Sequence, residues 1–253
     1  MHRQQLWETV PPAEIQFRPH QFIALPETAQ RYLQSAIAFG KWRSHIAPET
    51  PLATAVRLRM HGEIKLKNWC PFTAEQIIRF PEGFIWKARV WMRGLPISGF
   101  DRALAGEAAM QWKVLGILPI IRESGADIGR SALGRMQGEL MWLPSAFCDA
   151  SVTWTPFNTS QVQAHVRLQG ETTPLTLKVN EQGALETIKF PRWGNPDSKG
   201  YRYLNFGGII EAQRTFQGYT IPTQIRGGWH FDGESFAQAG EFFRATIDEA
   251  RYR

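Results

Sequence analysis

Within the segment GRMQGELMWLP, residues 134–144, Arg135, Glu139 and Trp142 have the types and spacing to do chemistry. On a helix Arg135 and Glu139 stand one turn apart on one face, with Trp142 three residues further along. The neighbouring stripe is ordinary: Leu133, Met136, Leu140, Leu143 and Phe147 step by three and four, the spacing of a core-facing side. Gly134 and Gly138 flank the charged stripe, and each glycine in a helix interior costs about 1 kcal/mol. That cost makes sense where something comes close to the helix backbone, either a neighbouring strand or a bound molecule. Three readings stay open: a helix packed on a sheet through a structural ion pair, the wall of a ligand cavity, and a surface pair worth a few tenths of a kcal/mol.

Candidate partners lie upstream. Trp86, Arg89, Trp91 and Asp101 fall on successive extended segments, so Arg89 and Asp101 could pair with each other, or with Glu139 and Arg135 respectively. An enclosed guanidinium beside tryptophan also suits a carboxylate or phosphate ligand. The catalytic templates fail. No G-x-S-x-G elbow, H-E-x-x-H pair or phosphate loop occurs, and the six histidines are scattered. Glu139 beside Asp101 or Arg135 could serve a hydrolase as general acid or base, but two carboxylates alone are a weak signal. No metal or cofactor is expected.

The elements that would position these residues read mainly as strands. Residues 1–24 are polar and proline-marked, an irregular arm. A helix is expected from Glu27 to Phe39, with Gly40 as its stop. From Val56 the period becomes two: Val56, Leu58, Met60, Ile64 and Leu66 fall on one side of a long strand. Arg57, Arg59, His61, Glu63, Lys65 and Lys67 fall on the other. A corner at Pro71 leads into a second strand, GFIWKARVWMR forms a third, and ISGFDRALAG and EAAMQWKVLGILPII supply two more. A helical block at about 126–148 interrupts the series. Strands then resume through SVTWTPF, VQAHVRL, TPLTLKV and GALETIKF, PRWGNPDSKGYR forms a long loop, and the final third is again mostly extended. The expected fold is therefore α+β: a large curved antiparallel sheet, a half-open barrel, with an N-terminal and a central helix on its concave side. Residues 25–253 form one domain.

Composition sets outer bounds. The chain of 253 residues is 43% hydrophobic and 21% charged, with ten tryptophans and sixteen phenylalanines, enough for a thick core or a lined pocket. A net charge of +6 is compatible with an anionic partner but, spread over this length, equally describes a solvated basic surface. The basic row from Arg57 to Lys67 lacks interleaved aromatics, which disfavours nucleic acid and suits an outer face discouraged from edge pairing. Cys70 and Cys148 have no metal or redox spacing; a disulfide and two free thiols both remain open. No signal-peptide core or transmembrane run is apparent, so the expected location is cytoplasmic.

The segments WCPFTAEQ at 69–76, GFIWKARV at 83–90, the aspartate of GFDRALAGEAAMQWKVLG, GRMQGELMWLP, and IPTQIRGGWHF at 221–231 together resemble an uncharacterised bacterial family of unknown function. The order of elements over residues 27–247 is similar to that of the open-barrel carriers of lipoproteins and lipids. That resemblance implies an incomplete barrel lidded by helices and a hydrophobic guest. The resulting expectation is non-catalytic binding of a hydrophobic or amphipathic, lipid-like ligand. Trp86, Trp112, Trp142 and Trp229 would line the pocket, and Arg89, Asp101, Arg135 and Glu139 would be its polar groups. A hydrolase and a basic protein binding anionic surfaces are the alternatives, and peripheral membrane contact stays open.

Overall fold

The computed structural model describes residues 3–11, 13, 15–37, 50–234 and 236–253. Its strands are β1 (Ala55–Lys65), β2 (Trp69–Arg79), β3 (Gly83–Met92), β4 (Leu95–Leu104), β5 (Glu107–Val114), β6 (Leu118–Ser124), β7 (Val152–Pro156), β8 (Gln161–Leu168), β9 (Glu171–Val179), β10 (Leu185–Gly194), β11 (Arg202–Phe216), β12 (Tyr219–Trp229) and β13 (Glu241–Tyr252). Among the described residues three α-helices accompany them: α1 (Arg3–Glu8), α2 (Glu27–Ile37) and α3 (Ala126–Glu139). No described helix is long and apolar enough to cross a membrane.

All thirteen strands form a single antiparallel sheet in the order β6-β5-β4-β3-β2-β1-β13-β12-β11-β10-β9-β8-β7. The first and last strands pair at its middle, and each half is a meander running outward. The two free edges, β6 and β7, are consecutive in sequence. The chain must therefore travel from one edge of the sheet to the other between residues 124 and 152, and α3 is the element that makes this crossing. A flat sheet of this size would leave its aromatic residues in water, so the sheet curls and α3 lies in the hollow. The expected fold class is what is observed: a half-open barrel of antiparallel strands with α2 and α3 on its concave side.

Period-two alternation decides which residues enter the hollow. Val56, Leu58 and Met60 of β1, Phe84, Trp86 and Val90 of β3, and Val162, Ala164 and Val166 of β8 all join one continuous core with Met136 and Leu140. On the convex side, Leu6 of α1 packs on Ile77 and Ile85, which have the opposite parity. The arm expected to be irregular thus contains a short helix, held by that apolar contact.

Several boundaries differ from the sequence expectation. The β2 strand runs straight through Pro71, which faces Glu63 of β1, so no corner forms. EAAMQWKVLGILPII is a hairpin rather than one strand, turning at Leu115 and Gly116. PRWG belongs to β10 and pairs with β11, which shortens the expected loop to residues 195–201. The α-helix of the central block ends at Glu139; two tight 3-10 turns, Leu140–Trp142 and Pro144–Cys148, complete it. The expected end of the N-terminal helix at Phe39 and Gly40 lies outside the described residues. Both cysteines are free thiols, Cys70 buried and Cys148 half-buried. Burial pushes the Cys148 thiol up to about 12.

Candidate functional site

One turn of α3 brings the charged stripe onto the sheet. Gln76, Trp86, Asp101 and Met110 are successive cross-strand neighbours on β2, β3, β4 and β5, and all four face the hollow. Arg135 reaches this row from above. Its Nη1 donates to Asp101 Oδ2 at 2.8 Å and its Nε to Glu139 Oε1 at 2.7 Å. The other carboxylate oxygens are also taken. Trp112 Nε1 donates to Asp101 Oδ1 at 3.1 Å, and Gln76 Nε2 to Glu139 Oε2 at 2.5 Å. The Arg135 guanidinium stacks 5.0 Å from the Phe84 ring centre and 4.9 Å from that of Trp86. Gly99 makes the row possible, because a Cβ there would come within 2.4 Å of the Trp112 indole.

The electrostatics follow from enclosure. Burial raises the Asp101 carboxyl above its ordinary value, and Arg135 and the Trp112 hydrogen bond only partly reverse this. Burial alone would lower the Arg135 guanidinium, but the charges of Glu139 and Asp101 outweigh it and the net direction is upward. Side-chain exposures of 16% for Arg135 and Asp101 and 14% for Glu139 show that the clamp is not sealed in the core. What they meet is a cavity of about 350 Å³.

This cavity runs between α3 and the inner face of the sheet. Trp86, Asp101, Trp112, Arg135, Glu139 and Trp142 stand at its wall, six of the eight residues expected there. Apolar side chains, including Val90, Ile97, Ile188, Phe190 and Ile225, make up most of the rest. Its lining also reaches Leu66, Ile120 and Ile121, which are exposed at the surface, so the hollow communicates with solvent at that end. Trp142 is fixed from both ends, its Nε1 donating to Pro222 O at 3.1 Å and its carbonyl accepting from the Tyr252 hydroxyl at 3.0 Å.

The remaining two expected residues are elsewhere. Arg89 is three positions from Trp86, an odd offset, so period two sends it to the convex face; there it lines an outer groove with Thr73, Lys87 and Ser98. It cannot anchor a ligand in the hollow. Trp229 stands beside the wall rather than in it, the cross-strand neighbour of Phe206 on the same face and edge-on to it with ring centres 5.1 Å apart.

One of the two glycines, Gly138, has its explanation in β10, whereas a Cβ on Gly134 would meet only Arg192 Cγ at 3.4 Å. A Cβ on Gly138 would lie 2.3 Å from the Phe190 ring, so here a strand, not a ligand, demands the close approach. Helix-on-sheet packing, a structural ion pair and a cavity wall coexist on one helix face.

Arg192 is the residue that sequence reasoning missed. It lies in what read as a loop, and only the extension of β10 turns it inward. Its guanidinium sits 4.6 Å from the Phe206 ring centre and 5.1 Å from that of Trp229, and it lines the cavity. Nε makes a long hydrogen bond, 3.4 Å, to Ser131 O. Among the described residues no carboxylate lies within ion-pair distance of it. Burial first, and repulsion by Arg135 second, bring its guanidinium down to about 10, only partly offset by Glu139 and Asp101.

Both carboxylates of the clamp have every oxygen engaged by a protein donor, an arrangement that holds α3 on the sheet and leaves no general base with a free geometry. On the convex face the basic row is matched across strands: Arg57 to Glu75 and Arg59 to Glu249 at 3.5 Å each, and His61 to Asp248 at 2.9 Å. That is a solvated outer face with complementary charges. Among the described residues no cluster of three or more His, Cys, Asp or Glu is arranged to hold a metal ion.

Fold and site together define an open-barrel α+β protein with an apolar cavity under its crossing helix. The chain belongs to the family of unknown function DUF6920, which it matches over residues 23–252. No curated protein matches it. Among solved structures it is similar to a LolA superfamily protein from Nitrosomonas europaea, at 10% identity over 90% of this chain and 94% of that one, with a TM-score of 0.47. An outer membrane lipoprotein-sorting protein domain from Vibrio parahaemolyticus matches at 7% identity, covering 79% and 85% of the two chains, with a TM-score of 0.43. A DUF1329 family protein from Desulfovibrio piger matches at 10% identity, covering 79% and 86%, with a TM-score of 0.39.

Proposed function

We propose that this protein binds an amphipathic, lipid-like molecule in the cavity between α3 and the sheet, without transforming it. The observation that carries this reading is the composition of the cavity wall: aliphatic and aromatic side chains along its length, polar groups gathered at Arg135 and Arg192. A hollow of about 350 Å³ lies at the small end of ligand pockets, which run from roughly 300 to 1,000 Å³. The Asp101–Arg135–Glu139 clamp is internally satisfied and serves as wall. Arg192 is not, so a carboxylate or phosphate on the ligand's polar end would answer its charge. The apolar part would extend toward Leu66, Ile120 and Ile121.

Tryptophan fluorescence tests this directly, since Trp86, Trp112 and Trp142 all stand at the wall. Dibromostearate, a fatty acid carrying heavy-atom quenchers, should quench that emission saturably. Ile97→Phe with Met110→Phe, which fills the hollow, should remove the saturable component. Arg192→Gln should weaken binding of the acid while leaving the brominated alcohol of the same chain unaffected. Absence of saturable quenching by the acid, the alcohol and a brominated phospholipid alike would sink the reading.

A further inference from the structure

In a meander of antiparallel strands, alternate turns fall at the same end of the sheet. The turns β1–β2, β3–β4 and β5–β6 therefore form one rim. Their sequences are KLKNW (65–69), WMRGLP (91–96) and KVLGILPI (113–120), with four cations and no acidic residue. Of the twelve large hydrophobic residues that stand exposed among those described, eight lie on these turns or in the strand that follows. Leu66, Leu95, Leu115, Leu118 and Ile120 are among them, and Ile117 is 81% exposed. Single exposed leucines need no explanation, but a contiguous set does. One of them also occupies an awkward conformation. Leu115 sits at φ 53° at the head of the three-residue turn Leu115-Gly116-Ile117, a position that favours Asn, Asp or Gly.

The rim coincides with the open end of the cavity, because Leu66 and Ile120 belong both to the exposed set and to the cavity wall. Trp69 and Trp91 flank the turns at half-buried positions, and the Arg244 guanidinium stacks 4.1 Å from the Trp69 ring. Apolar tips, tryptophans just behind them and cations at the same level are the distribution that an interface between hydrocarbon and anionic headgroups rewards. A second copy of this chain suits the rim poorly, since a two-fold contact would set Lys65, Lys67, Arg93 and Lys113 against their own counterparts.

We propose that this rim docks on an anionic lipid bilayer, with the tips of the three turns entering the headgroup region and the cavity opening toward the acyl chains. The proposal is independent of whether the cavity holds a ligand.

Co-sedimentation of the full chain with vesicles of equimolar phosphatidylcholine and phosphatidylglycerol, compared with phosphatidylcholine alone, provides the test. The protein should pellet with the anionic vesicles, more weakly with the neutral ones, and less in high salt. Replacing Lys65, Lys67 and Arg93 by Gln should weaken anionic binding by on the order of a hundredfold, about fivefold per cation. Ile117→Glu with Leu118→Glu should abolish association with both vesicle types while the melting temperature stays unchanged, since these side chains are already in water. Leu95→Glu on the neighbouring turn repeats the test independently, and Arg57→Gln with Arg59→Gln on the convex face should have no effect. No pelleting with anionic vesicles overturns the proposal. So does pelleting that survives the rim substitutions but is lost with the convex-face pair, or a dimer abolished by Ile117→Glu in a protein indifferent to vesicles.

Discussion

The two faces of this sheet carry the same chemistry in different surroundings. Outside, Arg57–Glu75 and Arg59–Glu249 meet at 3.5 Å with arginine side chains 37% and 63% exposed. Inside, Arg135 meets Asp101 and Glu139 at 2.8 and 2.7 Å, largely shielded from water by α3 and the tryptophans. Strand parity sorts the sheet's charged residues between the two sets, and the surroundings decide what each pairing is worth. Exposed pairs lose nearly as much hydration and side-chain freedom as they gain. An enclosed pair has no water to fall back on if one partner goes.

Arg135→Met is the widest test of that contrast. It leaves two carboxylates facing an apolar hollow, and breaking such a pair costs about 3–5 kcal/mol. For a chain of this size each kcal/mol moves the melting temperature by roughly 2–4 °C, so calorimetry should show a drop of about 6–20 °C. A loss of only a degree or two would place the inner clamp in the same class as the outer pairs and remove the distinction.

Next in size is Gly138→Ala. Its new methyl would meet the Phe190 ring at 2.3 Å. Overpacking costs about 1–3 kcal/mol, of which better helix propensity returns at most about 1 kcal/mol. A net loss is expected, and Phe190→Leu in the same chain should recover it. Stabilisation by Gly138→Ala alone would mean that α3 is not pressed on β10 at that point.

Much of this arrangement was legible in the sequence, and the failures have identifiable causes. The curved antiparallel sheet followed from alternation repeated on both sides of one helical block; of the eight residues expected at the wall, six stand there, Trp86, Asp101 and Trp112 on strands and Arg135, Glu139 and Trp142 on the helical block. Arg89 failed because residue type was allowed to outrank parity; its odd offset from Trp86 already assigned it to the convex side. Arg192 failed for the opposite reason. PRWG, with a proline at its head and a glycine at its end, reads as the start of a loop, and only pairing of Pro191 with Asn205 and Arg192 with Leu204 keeps it in the sheet. That pairing is a tertiary contact with no local signature. The β5–β6 turn was hidden likewise, since Leu115 stands where turn chemistry calls for a small polar residue.

The inner face should also carry a pH dependence opposite in sign to that of the outer face, where the hydrogen bond from Arg251, with the charges of Arg251 and Arg59, holds the Glu249 carboxyl below its ordinary value. Burial raises Asp101, so the folded protein holds a proton there at a pH where the unfolded chain has released it. Below the ordinary carboxylate range both states are protonated and the group contributes no slope. As pH rises from there through the raised value, the wild type loses stability relative to Asp101→Asn, which cannot ionise. Melting temperatures of the two proteins across that range should diverge in this direction. Parallel curves would mean that Arg135 and Trp112 fully compensate for enclosure.

The smallest effect is the most discriminating for the outer face. A double-mutant cycle on Arg59 and Glu249, built from Arg59→Gln, Glu249→Gln and the pair, should give a coupling of about 0.2–1 kcal/mol, the range for exposed ion pairs. Added salt should reduce it, because both side chains face water within a Debye length of each other. The Arg135–Glu139 coupling, measured the same way, should respond far less to salt, since ions cannot follow the pair under α3. A salt-insensitive coupling above about 2 kcal/mol at Arg59 would show the convex face to be covered in solution, by a partner or by another part of the chain, and would recast the basic row as an interface rather than a wet surface.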